Sequence, residues 1–297
     1  MISLPEGTLE SPGRFLEASG PEGYDRAENV LIGLPMDTTT SFRPGARFGP
    51  SAIREASWGL ETWSPVLRRA LAVGDLADLG DVALPFGNVP EQMRRIRVVA
   101  ERIFADQKRP VALGGEHLAT LPMVEAAKAA YADLAVVHLD AHTDLRDTYL
   151  GERFSHATVL RRVAETVGPE HLWQFGIRSG TAEEVHYARH LYDDFAALAE
   201  ALRAIGDRPI YFTLDIDVVD PAFAPGTGAP EPGGPDSRQV LAAVREVAAR
   251  RMVAFDVMEV APLLDPTART AILAAKLVRE ALLAGPYPGE EVSTRVG

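Results

Sequence analysis

The sequence contains no cysteine, which excludes disulfides, thiolate zinc sites and cysteine nucleophiles together. It also lacks a basic excess: 30 Lys and Arg stand against 42 Asp and Glu, a formal net charge of −12. Nucleic acid and anionic membranes both select a basic face, so neither is an expected partner. No apolar run approaches the length that spans a bilayer. Residues 1–10 lack the basic start and apolar stretch of a signal peptide. A cytoplasmic protein is therefore expected. What the chain does have is 46% hydrophobic residues over 297 positions, with its 24% charged residues dispersed. That is enough to bury a large core in one domain. The acidic balance suits solubility, and equally a small cationic substrate.

Residues 1–27 are rich in Gly, Pro and Glu and read as an irregular N-terminal arm, and a short tail is expected from about 287 to 297. Between them, apolar runs at 29–34, 110–113, 134–139, 172–176, 209–214 and 252–258 alternate with helical patterns at 49–58, 89–105, 118–131, 156–167, 182–205, 237–250 and 267–283. Runs that are apolar on both faces belong to strands buried in a parallel sheet. Pro50 suits a first helical turn, and Asp236-Ser237 an N-cap. There is no internal repeat and no linker long enough to divide the chain. The prediction is a single α/β domain over residues 1–297, with three layers, α/β/α, around a central and mostly parallel sheet. Ligands in such sheets bind beyond the carboxyl ends of the strands.

Three clusters of metal-binding side chains fall at those ends. They are Leu113-Gly114-Gly115-Glu116-His117, Val137-His138-Leu139-Asp140-Ala141-His142-Thr143-Asp144, and Leu214-Asp215-Ile216-Asp217. Residues two apart in a strand share a side, so Asp140 pairs with His142 and Asp215 with Asp217. Gly114-Gly115 permits a tight turn before His117. A lone Asp-x-Asp is ordinarily a turn former, and a lone buried histidine a satisfied core residue. His138, inside its strand, is given that core reading. Three clusters together are another matter. His117, Asp140, His142, Asp144, Asp215 and Asp217 offer two imidazoles and four carboxylates, enough for two divalent ions near neutrality. The set suits manganese, with iron, cobalt or zinc as alternatives. Such a pair activates water for hydrolysis.

Further motifs carry a resemblance. Phe42-Arg43-Pro44-Gly45-Ala46-Arg47-Phe48-Gly49-Pro50, Ser155-His156-Ala157-Thr158, Gly228-Ala229-Pro230-Glu231-Pro232-Gly233-Gly234 and Asp256-Val257-Met258-Glu259-Val260-Ala261-Pro262 flank the three clusters in a fixed order. From about Asn29 to Arg279 the chain resembles the ureohydrolases, the arginase and agmatinase superfamily, and within it the bacterial agmatinases. The resemblance implies an arginase-like fold and two Mn2+ per chain. His117, Asp140, Asp144 and Asp215 would hold one ion, and Asp140, His142, Asp215 and Asp217 the other, with Asp140 and Asp215 bridging. Glu259 would orient the substrate guanidinium, whose planar cation matches a carboxylate in two-point geometry. His156 would position substrate or move a proton, and Asp144 is a second candidate for proton transfer. Two departures stand out: Glu116-His117-Leu118 replaces the family's Asp-His-Ser, and Ala157 replaces a glycine. The resemblance also implies a homotrimer or homohexamer.

The segment 145–155 lacks the polar Asn and Ser or Thr pattern with which arginases hold an α-amino acid. Asp147 and Glu152 are candidates for a second cation, and Tyr149 or Phe154 for an aliphatic spacer. The expected reaction is hydrolysis of agmatine to putrescine and urea, a step of polyamine biosynthesis. N1-aminopropylagmatine, giving spermidine, and guanidinobutyrate, which Arg146 would favour, are the alternatives, with arginine behind them. A deacetylase-like amidohydrolase with a single zinc is the competing class. Trp58, Trp63 and Trp173 are read as core or interface residues.

Overall fold

In the computed structural model, which describes residues 2–5, 7–10, 13–72 and 74–285, the apolar runs assemble into one large sheet. The strands in chain order are β1 (Leu9–Glu10), β2 (Asn29–Leu34), β3 (Trp63–Ser64), β4 (Arg69–Ala70), β5 (Leu76–Val82), β6 (Arg109–Gly114), β7 (Ala135–Leu139), β8 (Leu172–Phe175), β9 (His190–Tyr192), β10 (Ile210–Asp215) and β11 (Met252–Met258). β3 and β4 pair with each other. The other nine run in the order β1-β5-β2-β6-β11-β10-β7-β8-β9. All are parallel except β1, which is antiparallel to β5. The helices are α1 (Gly49–Ser57), α2 (Val89–Ala105), α3 (Thr120–Ala130), α4 (Val159–Val167), α5 (Ala182–Tyr187), α6 (Leu198–Ile205), α7 (Ser237–Ala248) and α8 (Arg269–Ala284). The tail expected from about residue 287 lies outside the described residues.

Alternate strand side chains feed two cores, as the period of two requires. Val30, Ile32, Ala112, Val136 and Tyr211 pack beneath α2, α3 and α4. Leu31, Val111, Val137, Phe212 and Phe255 pack beneath α1, α6, α7 and α8. The three-layer α/β/α arrangement follows. The N-terminal arm is tied to the sheet edge rather than loose: Leu9–Glu10 pairs with β5, and Phe15 is fully buried, its N–H donating 2.9 Å to Asp78 Oδ2. Of the three tryptophans, Trp173 is in the core while Trp58 and Trp63 are exposed.

Five strands, β1, β3, β4, β5 and β9, were not expected from the sequence, and two of these differences are informative. β5, Leu-Ala-Asp-Leu-Gly-Asp-Val, does not read as a buried strand because two carboxylates interrupt it. Arg54 on α1 resolves the conflict. It is itself buried and reaches Asp78 at 2.8 and 3.0 Å and Asp81 at 2.6 Å. Arg54→Ala is expected to destabilise the fold by about 3–5 kcal/mol, because it strands two carboxylates without a cation; the urea unfolding midpoint at constant slope measures it. The second difference is the segment 182–205, expected as one helix. It is α5, then β9, then α6. His190 stacks on Trp173 at 4.8 Å and Tyr192 on Phe175 at 4.7 Å, and this edge pairing with β8 outweighs a continuous helical period.

Candidate metal centre and substrate cavity

The sheet order brings the three clusters together. β6, β11, β10 and β7 are neighbours at its centre, and their register runs Leu113–Val257–Leu214–Leu139 in one line across the sheet. The residues beyond that line therefore leave the sheet at one level: Asp140 after β7, Asp215 closing β10, Glu259 after β11 and His117 after β6. Gly115 is needed at the last of these for space, since a Cβ there would lie 1.9 Å from the Met36 carbonyl oxygen.

The donor atoms converge. His117 Nδ1 lies 3.2 Å from Asp140 Oδ2, 3.5 Å from Asp144 Oδ2 and 3.3 Å from Asp215 Oδ2. It is buried and has no hydrogen-bond partner among the described residues. His142 Nδ1 lies 2.9 Å from Asp217 Oδ2 and 3.5 Å from Asp140 Oδ1. Asp140 thus presents one oxygen to each imidazole. Asp217 does not continue a strand as its spacing suggested. It sits in a 3-10 turn, Ile216–Val218, and its N–H donates 2.9 Å to Asp215 Oδ1; both acids are still buried. Burial, then the neighbouring Asp140 carboxylate, pushes Asp144 well above the usual carboxylate range. Burial, then Asp217 and Asp140, does the same to Asp215. An orphaned imidazole nitrogen amid crowded buried acids is a site that divalent cations satisfy. His117 and Asp140, and separately Asp140, His142 and Asp217, have donor atoms close enough to share an ion.

Backbone strain gathers here. Asp144 and Glu259 both have left-handed backbones, φ 53° and 63°, which non-glycine residues adopt at a cost of about 1–3 kcal/mol. Each is locked by hydrogen bonds. The Asp144 carbonyl caps α4 by accepting from Leu160 and Arg161 N–H at 3.0 and 3.2 Å. The next N–H, of Leu145, donates 3.2 Å to the buried Glu184 carboxylate. Glu259 N–H donates 2.8 Å to the Gly115 carbonyl, and its Oε1 accepts 2.7 Å from His117 N–H. Its other oxygen has no hydrogen-bond partner among the described residues. Burial, then Asp215, pushes this carboxyl well up.

A cavity of about 330 Å³ opens onto the cluster, lined by His142, Asp144, Asp215, Asp217, Glu259 and His156 among others. His156 begins a short 3-10 helix, His156–Thr158, that leads into α4. Its setting comes from the segment before α1. Its backbone N–H donates 3.0 Å to Thr39 Oγ1, and its Nε2 is 3.2 Å from Ser41 Oγ. Thr39 in turn donates from N–H and hydroxyl to Glu116 Oε2 at 2.7 and 3.0 Å. Glu116, one of the two departures from the family pattern, therefore holds the loop that holds His156. Burial pushes the His156 imidazole below its ordinary range, so the ring is neutral near pH 7.

The structure does not bring every expected residue to this cavity. Asp147 is exposed, and its carboxylate is captured at 2.7 Å by Arg162 of α4. Glu152 is exposed in a tight turn in which it and Tyr149 exchange backbone hydrogen bonds at 2.8 and 2.9 Å. Neither lines the cavity, and Phe154 does not either, whereas Tyr149 does. The wall near the loop is instead Arg146, whose guanidinium lies 4.8 Å above the Tyr149 ring and 3.9 Å from Glu184. Glu184 was missed by the sequence reading. Its one signal is a helix-start pattern, Thr181-x-x-Glu184, realised as a capping box. Ser41 and Thr39 carry no signal beyond lying just ahead of a motif.

Imidazole and carboxylate donors converging over one cavity at the carboxyl end of a parallel sheet define an α/β enzyme with a site for divalent cations. Residues 27–284 match the model of the Arginase family, and the chain belongs to that family. It is 46% identical over 279 residues to the agmatinase of Bacillus subtilis (strain 168), covering 91% of this chain and 96% of that protein. It is 45% identical over 268 residues to the agmatinase of Halalkalibacterium halodurans, covering 88% and 93%. Among solved structures, the agmatine ureohydrolase of Thermoplasma volcanium superposes with a TM-score of 0.84 at 31% identity, covering 91% of this chain and 93% of that one.

Proposed function

We propose that this chain hydrolyses agmatine to putrescine and urea, a reaction of polyamine biosynthesis, at a pair of Mn2+ ions. His117, Asp140, Asp144 and Asp215 would hold one ion and Asp140, His142, Asp215 and Asp217 the other. Bound there, the ions would lower the pKa of water and so supply a nucleophile strong enough for a guanidinium carbon. One observation carries the reading: Glu259 is hydrogen-bonded to the backbone of His117, so a carboxylate suited to a guanidinium stands beside the cation site in the same cavity. The agmatinases to which the chain is similar support the choice of substrate.

The chain's own residues then divide the work. Glu259 binds and orients the guanidinium through charge-assisted hydrogen bonds. The attacking water must lose two protons in all, and the leaving amine must gain them for urea to separate from an ammonium product. Asp144, at the cluster, and neutral His156, across the cavity, are placed to move them. With Asp144, Asp215 and Asp217 taken up by the ions, Glu184 and Glu259 are the carboxylates left in the cavity wall beside Arg43 and Arg146, so selection of a guanidinium rests on Glu259 and not on an acidic surplus. A second reading is hydrolysis of a guanidino acid; Arg146, the residue expected to favour it, lies 3.9 Å from Glu184, so this reading rests on Arg43. That residue lines the cavity and has no ion-pair partner among the described residues.

The test is urea release from agmatine, aminopropylagmatine, guanidinobutyrate and arginine with added Mn2+. Agmatine is expected to give the highest kcat/KM. Guanidinobutyrate ahead of agmatine would assign Arg43 to a substrate carboxylate and overturn the substrate choice. One zinc per chain without urea release would point to the deacetylase-like class. No helix among the described residues is long and apolar enough to cross a membrane. A cytoplasmic homotrimer or homohexamer completes the proposal, and light scattering distinguishes the two assemblies.

A further inference from the structure

His138 lies within ligand distance of both His117 and Asp140, and on proximity alone it is a seventh candidate ligand. We infer that it is instead a positioning residue: a hydrogen-bond donor that orients Asp140, in a tautomer imposed by Gln174. This rests on the binuclear-metal reading above.

The argument starts from a group whose role has no ambiguity. Gln174 stands opposite His138 in the β7–β8 register, and both are buried. Gln174 Nε2 is 2.7 Å from the Thr143 carbonyl oxygen. A carbonyl oxygen only accepts, so the side-chain atom facing it is the amide nitrogen. That same nitrogen is 3.0 Å from His138 Nδ1. An amide nitrogen only donates, so Nδ1 must accept and carries no proton. The proton of the neutral ring is then on Nε2, which sits 2.8 Å from Asp140 Oδ2 and donates to it. A protonated ring nitrogen does not ligate, and the other nitrogen is occupied by Gln174. Neither is free for an ion.

The consequence is a carboxylate held at both ends. Asp140 Oδ2 accepts from His138 Nε2–H, and Oδ1 accepts 2.6 Å from His142 N–H. So clamped, each oxygen faces a different imidazole nitrogen, His117 Nδ1 at 3.2 Å and His142 Nδ1 at 3.5 Å. That is the orientation a ligand shared by two ions requires. Outer-shell hydrogen bonds of this kind set ligand direction.

The experiment titrates Mn2+ alone into the full-length protein by calorimetry, comparing wild type, His138→Leu, Gln174→Leu and the double variant. His138→Leu is expected to keep two ions per chain and to bind them about 10- to 100-fold more weakly. Gln174→Leu is expected to weaken binding less, and to add nothing in the His138→Leu background. Loss of one whole ion in His138→Leu would make His138 a ligand and overturn the inference. So would unchanged affinity, or additive losses in the double variant. Should a variant fail to fold, the 15N shifts of the wild-type His138 ring still read the tautomer, and a proton on Nδ1 overturns the inference. A wild type that binds no Mn2+ would instead overturn the metal reading itself.

Discussion

Asp140→Ala is expected to abolish activity by about a thousandfold or more and to empty both cation positions together. The magnitude follows from removing a preorganised charge where one lost donor alone costs about 10²–10³ in rate. The double loss follows from geometry. Among the described residues, Asp140 is the one carboxylate whose two oxygens approach His117 and His142 in turn. Asp215→Ala should behave alike if it too is shared, as the resemblance implies. Of these two imidazoles Asp217 is near His142, with Nδ1 at 2.9 Å, so Asp217→Ala should weaken chiefly one ion. Metal content after dialysis, with urea release at increasing Mn2+, separates these cases. Equal loss of both ions in all three variants would contradict the bridging assignment.

Glu259→Gln is expected to lower kcat/KM for agmatine by roughly 30- to 5,000-fold, the effect of about 2–5 kcal/mol for unpairing a buried charge, while leaving two ions bound. The amide keeps an oxygen for His117 N–H, so the strained backbone at Glu259 and the metal cluster retain their support. What is lost is the negative charge opposite the guanidinium. Since the charge orients substrate before and during attack, KM should rise and kcat fall together. A variant with unchanged kcat/KM would remove Glu259 from substrate binding. A variant that loses metal would make it a structural support of His117 instead.

The legible parts of the fold were those written in local pattern. The strand at 29–34 and the helix at 89–105 have the bounds that their apolar period predicts; the structure adds an Asn88 cap that accepts from Glu91 N–H. β5 was hidden because the charge of Asp78 and Asp81 is neutralised by Arg54, which is distant in sequence. β9 was hidden because its support is aromatic stacking on Trp173 and Phe175. Both are contacts that no window along the chain contains.

The candidate site divides in the same way. The six donor residues lie at or just beyond strand ends that can be read from the apolar runs, although the alternation of a strand does not carry on to Asp217, which turns in a 3-10 helix. The chain's own order of residues thus settles which side chains are available for chemistry, and that thiol chemistry is closed to it. Everything that depends on neighbours across the sheet was decided by folding. The order β6-β11-β10-β7 makes three clusters and Glu259 into one cavity. Asp147, a candidate by its place in a loop, does not line the cavity, and its carboxylate is captured by Arg162 of α4. His138, a core residue by its place in a strand, becomes a donor to Asp140 because Gln174 of the adjacent strand determines where its proton sits. A side chain's type is local, but its direction and proton state are set by the partners that the fold brings within about 3 Å.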